Sequence, residues 1–449
     1  MSQLISISPW NPQDRVFTGE TANSTAIEIA LAAMSSAFPT WSCATDRCER
    51  LRAFAQTLTG ARADVVALLV REAGKTRADA EAEADLLPKK ITLTIEQALA
   101  RTTAPAGSAI TWRPRGVATI IGPYNFPLHL LHGLVVPALA VGCTVIAKPS
   151  ERCPALGELY RQLLVRAGLD SVCRVVQGGQ TVATTIVQDK RVATVAAVGS
   201  RAMGLGLAHT LAARPEAVLA LELGGVNHAL VLDDADRDAA ITAIADGAWR
   251  MAGQRCTATR VAHVPAAWFE QMISALSTAR QTWIPSGDPS SAAGPMISAQ
   301  LREDFQAPYR KLPHVLALVA GSPSAASTSC FAEPLLLAVR DNAARLTPLY
   351  REEHFGPALI VDSYTDADDA ITRIAANRFR LAASVFTASR ERFRSVAARL
   401  PYGQVNWNRP TAGARSDLPF GGCGLSGNGR PAAVAACQIF ADETVVWES

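Results

Sequence analysis

The chain reads as an α/β protein, with one domain built on a parallel sheet, a second α/β domain after it, and a small β excursion outside both. Three observations predict this. Between residues 117 and 212, β-branched apolar runs alternate with helical patterns, the mark of βα units that wind a parallel sheet with helices on both faces. The alternation restarts with HALVLDD, so a second sheet begins near residue 226. A length of 449 residues is enough for two or three domains, each with its own core.

Composition then bounds the function. Apolar residues make up 49% of the chain and charged residues 18%, which excludes wholesale disorder. Forty-three Lys and Arg stand against 40 Asp and Glu, a net +3 with no basic stripe, so no nucleic-acid partner is expected. Nine cysteines, scattered and without a C-x-x-C pair, read as reduced thiols in a cytoplasmic protein without a structural metal site. The N-terminus MSQLISISPWNPQDR lacks the basic and apolar regions of a signal peptide. The apolar stretch from Leu130 to Ala147 contains His132, Gly133 and Pro137, and divides into a helix and a strand, so no membrane partner is expected either.

The elements follow in order. AIEIALAAMSSAF and DRCERLRAFAQTLTGARADVVALLVREAG repeat apolar positions three and four apart, and Gly74 stands where a C-cap belongs, so two or three packed helices are expected. Residues 107–121 are β-rich but broken by Pro114 and Gly116, giving an extended excursion and then a core strand over 117–121. Next come a helix near 127–140, strand CTVIA, a helix near 154–167, strand CRVVQ, a helix near 180–188, strand VATVAAV and a helix near 202–212. In the second domain HALVLDD leads to a helix across 236–251 and strand TATRVAHVP. Past the loop PSGDPSSAAGPM and the low-complexity stretch GSPSAASTS lie strand ALIVDSY, helix DADDAITRIAANR, strand AASVFT, helix RERFRSVAARL and strand QVNWN. No repeat of 20–50 residues suggests a solenoid. The terminal FADETVVWES is a strand with no evident partner in either domain, which invites pairing with another subunit.

Three residues could carry chemistry. Cys256 in AGQRCTATR is a nucleophile if its thiolate is accessible to form, and otherwise a buried free cysteine. Glu222 in VLALELGGVN ends an apolar strand-like run, where burial would raise its pKa toward general-base range; the alternative is a local hydrogen bond at a strand end. Asn125 in GPYNFP, at the first strand-to-helix turn, could donate to an oxyanion or merely shape the turn. The dinucleotide fingerprint G-x-G-x-x-G is absent from that turn. Lys148 and Glu151 of KPSE could bracket a ribose, and Gly199-Ser200 before the next helix could meet a pyrophosphate; a solvated loop and a helix cap are the alternatives.

GPYNFP, KPSE, ELGG, GQRCT, EEHFGP, NWNRP and PFGGCGLSG occur in that order, and together they resemble the signature set of the aldehyde dehydrogenase superfamily. GPYNFPLHL, VPAL, VQGG, GQRCTATR, NWNRPTAGA and SGNGRP are most similar to its members acting on N-succinylglutamate 5-semialdehyde in arginine breakdown. The resemblance implies an aldehyde dehydrogenase-like fold: an NAD-binding domain over 1–97 and 115–225, a catalytic domain over 226–416, oligomerisation strands in 98–114 and 434–449, and a return segment over 417–433. It implies Cys256 as nucleophile, Asn125 with the Cys256 N–H as oxyanion donors, and Glu222 as the base for the deacylating water. NAD would be the cofactor, held by Lys148, Ser150, Glu151, Gly199, Ser200, Gly204, Glu353 and Phe355, with Glu151 disfavouring a 2′-phosphate. Arg409 and Arg255 are the arginines expected at the substrate's carboxylates, the other partner being a second copy of the chain in a homodimer or homotetramer.

Three departures stand out. The phosphate turn, often F-T-G-S in the superfamily, is Ala197-Val198-Gly199-Ser200, and Leu134 replaces a lysine common in the helix after the Asn125 turn. The Ala/Ser-rich segment 312–335 looks shortened. Rival readings are a dehydrogenase of another semialdehyde, a CoA-acylating relative, against which Glu222 speaks, and a catalytically impaired structural relative, against which Cys256, Glu222 and Asn125 together speak.

Overall fold

The computed structural model describes residues 3–105, 107–324 and 329–447. Two open sheets organise it. The first has six strands, in the order Gly427–Asn428, Val218–Leu223, Val192–Gly199, Val117–Ile121, Thr144–Lys148 and Cys173–Val175. All neighbours are parallel except Gly427–Asn428, which adds an antiparallel edge against Leu221 and Glu222. Side chains alternate across it as a pleated strand requires. Ala118 and Ile120 face the helices His129–Val141 and Pro154–Arg166, whereas Val117 and Ile121 face Ser24–Cys43, Gln180–Gln188 and Arg201–Leu211. Both faces are thereby covered, which is why these strands read as continuous apolar runs.

The second sheet runs Leu316–Ala320, Leu335–Val339, Ala358–Tyr364, Thr259–Pro265, Asn227–Val231, Ala382–Phe386 and Gln404–Trp407, parallel except at the Leu316–Ala320 edge. That edge strand falls in the segment expected to be shortened, and the adjoining low-complexity stretch lies partly outside the described residues.

Three expectations are corrected. In place of two or three helices the N-terminal region holds four, Ser24–Cys43, Arg47–Gly60, Arg62–Ala73 and Arg77–Leu93, the second and third bent by 65° to each other. Gly74, with φ 67°, does cap the third of them. An antiparallel hairpin, Gln3–Ile7 with Arg15–Glu20, precedes them. The helix expected to reach residue 251 stops at Trp249, because Met251, Ala252 and Gly253 all adopt positive φ. The terminal strand is not an orphan: Ala441–Val445 pairs antiparallel with Ile110–Pro114, leaving Val445, Val446 and Trp447 exposed at its end. Among the described residues no single helix is long and apolar enough to cross a membrane.

Candidate active site

The first sheet reverses its winding between Val117–Ile121 and Val192–Gly199, and ligand sites of open α/β sheets lie beyond the carboxyl ends of strands at such a point. Asn125 follows one of these strands and Ser200 the other. Ser200 caps the helix Arg201–Leu211, its Oγ accepting from Met203 N at 3.2 Å, so the first turn's free N–H groups face outward. Gly204 packs on Leu223, where a Cβ would come within 2.8 Å of Cδ1. Lys148, at the end of its strand, is buried and bonds Pro149 O at 3.1 Å and Glu151 Oε2 at 3.3 Å, while the Glu151 carboxylate stays half exposed. Burial lowers the Lys148 pKa and Glu151 opposes that shift. Ser150 is buried beside them and accepts from Arg152 N at 3.3 Å.

Cys256 is presented by an unusual stretch of backbone. Met251 (φ 57°) and Ala252 (φ 50°) are left-handed without being glycine, at a cost of roughly 1–3 kcal/mol each. Arg260 holds the turn from below, donating to Gly253 O at 2.7 Å and Gly356 O at 2.5 Å. Gly253 lies so close to Gly356 that a Cβ would sit 2.2 Å from its carbonyl oxygen. Past the turn, Asn125 Nδ2 donates to Gln254 O at 2.9 Å, which couples the first sheet to the cysteine segment and leaves the amide a second N–H to offer. Asn227 Nδ2 donates to Cys256 O at 2.8 Å and Ala258 O at 2.9 Å, fixing the other side.

Two carboxylates stand near the sulfur. Glu222 is buried at the end of its strand, with Oε1 lacking any hydrogen-bond partner among the described residues. Gly421 passes so close that a Cβ would be 2.5 Å from that oxygen. Burial pushes the Glu222 pKa up to about 8, against which Arg430 pulls. Glu353 accepts from Gly225 N at 2.9 Å, and burial raises it to about 7 against the pull of Arg260. Gly224 is required beside it, since a Cβ there would be 1.8 Å from Glu353 Oε2. Phe355 meets Tyr124 edge-on at 6.1 Å. Burial, then Glu222, then Glu353 push the Cys256 thiol up to about 12. These influences favour the thiol over the thiolate at neutral pH.

The sequence profile of the aldehyde dehydrogenase family matches residues 2–446. The chain belongs to the aldehyde dehydrogenase family. N-succinylglutamate 5-semialdehyde dehydrogenase 1 of Caulobacter vibrioides is 35% identical to this aldehyde dehydrogenase, over 98% of its chain and 95% of the relative's. An Escherichia coli N-succinylglutamate 5-semialdehyde dehydrogenase is 34% identical, over 95% and 89%. Among solved structures, a variant of Thermus thermophilus 1-pyrroline-5-carboxylate dehydrogenase superposes with a TM-score of 0.92 at 25% identity, covering 99% of this chain and 89% of that one. An NADP-dependent enzyme from Escherichia coli superposes with a TM-score of 0.89 at 26% identity, over 99% and 94%. The enzyme is thus an oxidoreductase of aldehydes that uses a nicotinamide dinucleotide.

For this aldehyde dehydrogenase the two arginines separate. Arg255, expected at the substrate, is bonded to the preceding helix: its Nη2 donates to Asp246 O at 2.6 Å and Gly247 O at 3.3 Å. Arg255→Ala should therefore cost about 2–3 kcal/mol in urea unfolding, the size of lost charged hydrogen bonds, without changing the ratio of kcat/KM between charged and neutral aldehydes. A changed ratio would return Arg255 to the substrate. Arg409 stays exposed, two residues before Thr411, whose hydroxyl donates to Thr257 O at 2.7 Å beside Cys256. Residues missed in the sequence are Asn227 and Arg260. The signal for Arg260 was present, a cation inside a strand that is otherwise read as buried.

Proposed function

We propose that this enzyme oxidises N-succinylglutamate 5-semialdehyde to N-succinylglutamate with NAD, through a thioester on Cys256. The observation that carries the reading is the gathering of Asn125, Cys256, Glu222 and Glu353 where the two sheets meet, in a chain whose relatives are named for that substrate. Cys256 gives its proton to a base, Glu222 or solvent water, and its sulfur attacks the aldehyde carbon. The oxyanion of the hemithioacetal is met by the second Asn125 N–H and the Cys256 N–H. Once oxidation has produced the thioester, Glu222 as carboxylate takes a proton from water, and the resulting hydroxide equivalent releases the acid.

The carboxyl edge of the first sheet fits a dinucleotide. An exposed carboxylate held by a buried lysine, a capped helix N-terminus, and a glycine without which Glu353 could not stand where it does are the features such a ligand needs. Lys148, Ser150 and Glu151 would hold the adenosine ribose, Gly199, Ser200 and Gly204 the pyrophosphate, and Glu353 and Phe355 the nicotinamide end. Bound there, NAD supplies the hydride acceptor. Glu151 favours NAD because a 2′-phosphate would meet its charge. Nine free thiols suit a reducing cytoplasm, and the ribbon of Ile110–Pro114 with Ala441–Val445, with its exposed apolar end, supports a homodimer or homotetramer.

An assay of NADH formation over a panel of semialdehydes, with and without CoA, tests the reading. CoA-independent oxidation with the dicarboxylate semialdehyde preferred is expected; CoA-dependent turnover, or a preference for neutral aldehydes, would reject it. Within this reading Arg409 takes one carboxylate of the substrate, as Arg does by a bidentate fork. Arg409→Ala should lower kcat/KM for the dicarboxylate semialdehyde about 10- to 100-fold while affecting butanal little. Equal losses on both would show that Arg409 does not recognise charge.

A further inference from the structure

The helix that follows the oxyanion turn is buried except along one line. From residue 125 to 140, partial exposure is kept only at Phe126, in the turn before the helix, and at His129, Leu130 and Gly133, positions i, i+1 and i+4 at the start of it. An accessible stripe thus starts in the turn beside Asn125 and continues for about one turn of the helix His129–Val141, about 6 Å from His129 to Gly133 at 1.5 Å per residue.

Charge along this stripe is not balanced. Glu83, from the helix Arg77–Leu93, accepts Leu128 N at 3.0 Å and His129 N at 2.9 Å with one oxygen and pairs with Lys75 at 2.9 Å through the other. Its capacity is spent there. Lys90 lies seven residues further along the same helix, on the same face. It is 9% exposed, and among the described residues no carboxylate pairs with its ammonium. Gly133 marks its place: a Cβ built there would lie 3.8 Å from Lys90 Cε and 4.0 Å from Nζ. Beside it, His129 Nδ1 is buried without a partner. Lys90 loses charge readily, its pKa lowered to about 8 by burial with nothing to offset it, and burial together with Lys90, His132 and Lys75 keeps the His129 ring neutral. A buried ammonium without its anion is costly, and such groups cluster at binding sites.

We propose that Lys90, with the His129 ring beside it, binds the carboxylate at the far end of the substrate's acyl arm. The inference rests on the substrate assigned above. In N-succinylglutamate 5-semialdehyde the succinyl carboxylate stands about eight bonds from the aldehyde carbon, about 10 Å when extended. The stripe leads from the turn at Asn125 toward Gly133, the direction such an arm would take. A side chain at 133 would occupy the space in which the carboxylate meets the ammonium, which accounts for glycine in the middle of a buried helix, where it costs about 1 kcal/mol relative to alanine. Arg409 is then left for the α-carboxylate, nearer the reacting carbon.

The test compares N-succinylglutamate semialdehyde with N-acetylglutamate semialdehyde, which lacks only the far carboxylate arm, and with butanal. The unmodified enzyme is expected to prefer the succinyl substrate by tenfold or more. Lys90→Met should cut that preference about 10- to 100-fold through KM, with far smaller changes for the acetyl compound and butanal, and Lys90→Arg should restore most of it. A preference unchanged in Lys90→Met, or equal losses on all three aldehydes in a folded variant, would overturn the role of Lys90 while leaving the substrate reading intact. An unmodified enzyme that favours butanal would overturn the substrate reading itself. Should Lys90→Met not fold, Gly133→Asp sets a carboxylate beside Lys90 in space that accepts a Cβ. Loss of the succinyl preference there supports the site, and its retention rejects it.

Discussion

Cys256→Ala is expected to reduce aldehyde oxidation by at least about 10⁴-fold, the scale on which removal of a covalent nucleophile acts, while the protein stays folded. Cys256 is half-buried against a small apolar cluster of Leu381, Phe420 and Ala433, so exchanging its sulfur for hydrogen costs only about 1 kcal/mol. The backbone that aims it does not depend on the thiol. Arg260 holds Gly253, Asn125 holds Gln254, and Asn227 holds Cys256 through carbonyl oxygens that the variant retains. Cofactor binding, followed by quenching of tryptophan fluorescence, should therefore persist in the variant. Near-normal turnover by the folded variant would remove Cys256 from the mechanism.

How much of this was legible in the sequence depended on where each side chain sends its bonds. The strands of the two sheets were readable because both faces are covered, so Val117–Ile121 and Thr144–Lys148 are apolar throughout. The N-terminal hairpin was not, because one of its inward positions is Ser6, whose hydroxyl is satisfied only by Glu72 some 66 residues away. Glu72 in turn looks like an exposed helix residue and is in fact buried, pinning Ala155 N and Leu156 N. Long-range polar bonds of this kind leave no local period. The same reason separates Arg255 from Arg260. Proximity in sequence to Cys256 favoured Arg255, but its guanidinium bonds to Asp246 O and Gly247 O across three left-handed residues, and no spacing rule announces a left-handed Met or Ala. Of the adjacent Lys89 and Lys90, the structure leaves the first exposed and buries the second, a difference that two identical neighbours in a sequence do not announce. Cys256, Glu222 and Asn125 were each equivocal alone, and only the order of motifs singled them out.

Glu222→Gln is expected to stop turnover after one cycle. If Glu222 serves only the water, mixing the variant with aldehyde and NAD should give a rapid burst of NADH equal to the number of active sites, then a slow phase as the acyl-enzyme accumulates. The unmodified enzyme supplies the control through pH. With a pKa near 8, Glu222 is mostly protonated at neutral pH, so hydrolysis of a preformed acyl-enzyme should rise about tenfold per unit below pH 8 and level off above it. The variant should lose that limb. Stability should move in the opposite sense. The folded state raises the Glu222 pKa from 4.5, so it holds the proton more tightly than the unfolded chain does, and stability falls as pH rises between about 4.5 and 8. Glutamine removes that loss, so in urea the variant should gain on the unmodified enzyme between pH 5 and pH 9. The thiol introduces a second possibility that the burst decides. Because Cys256 is held near 12 partly by Glu222 itself, the same carboxylate is placed to take the thiol's proton. A burst that vanishes together with turnover, in a variant showing the stability gain, would mean that Glu222 deprotonates Cys256 before it activates water, and a burst that survives would confine it to the second half of the cycle.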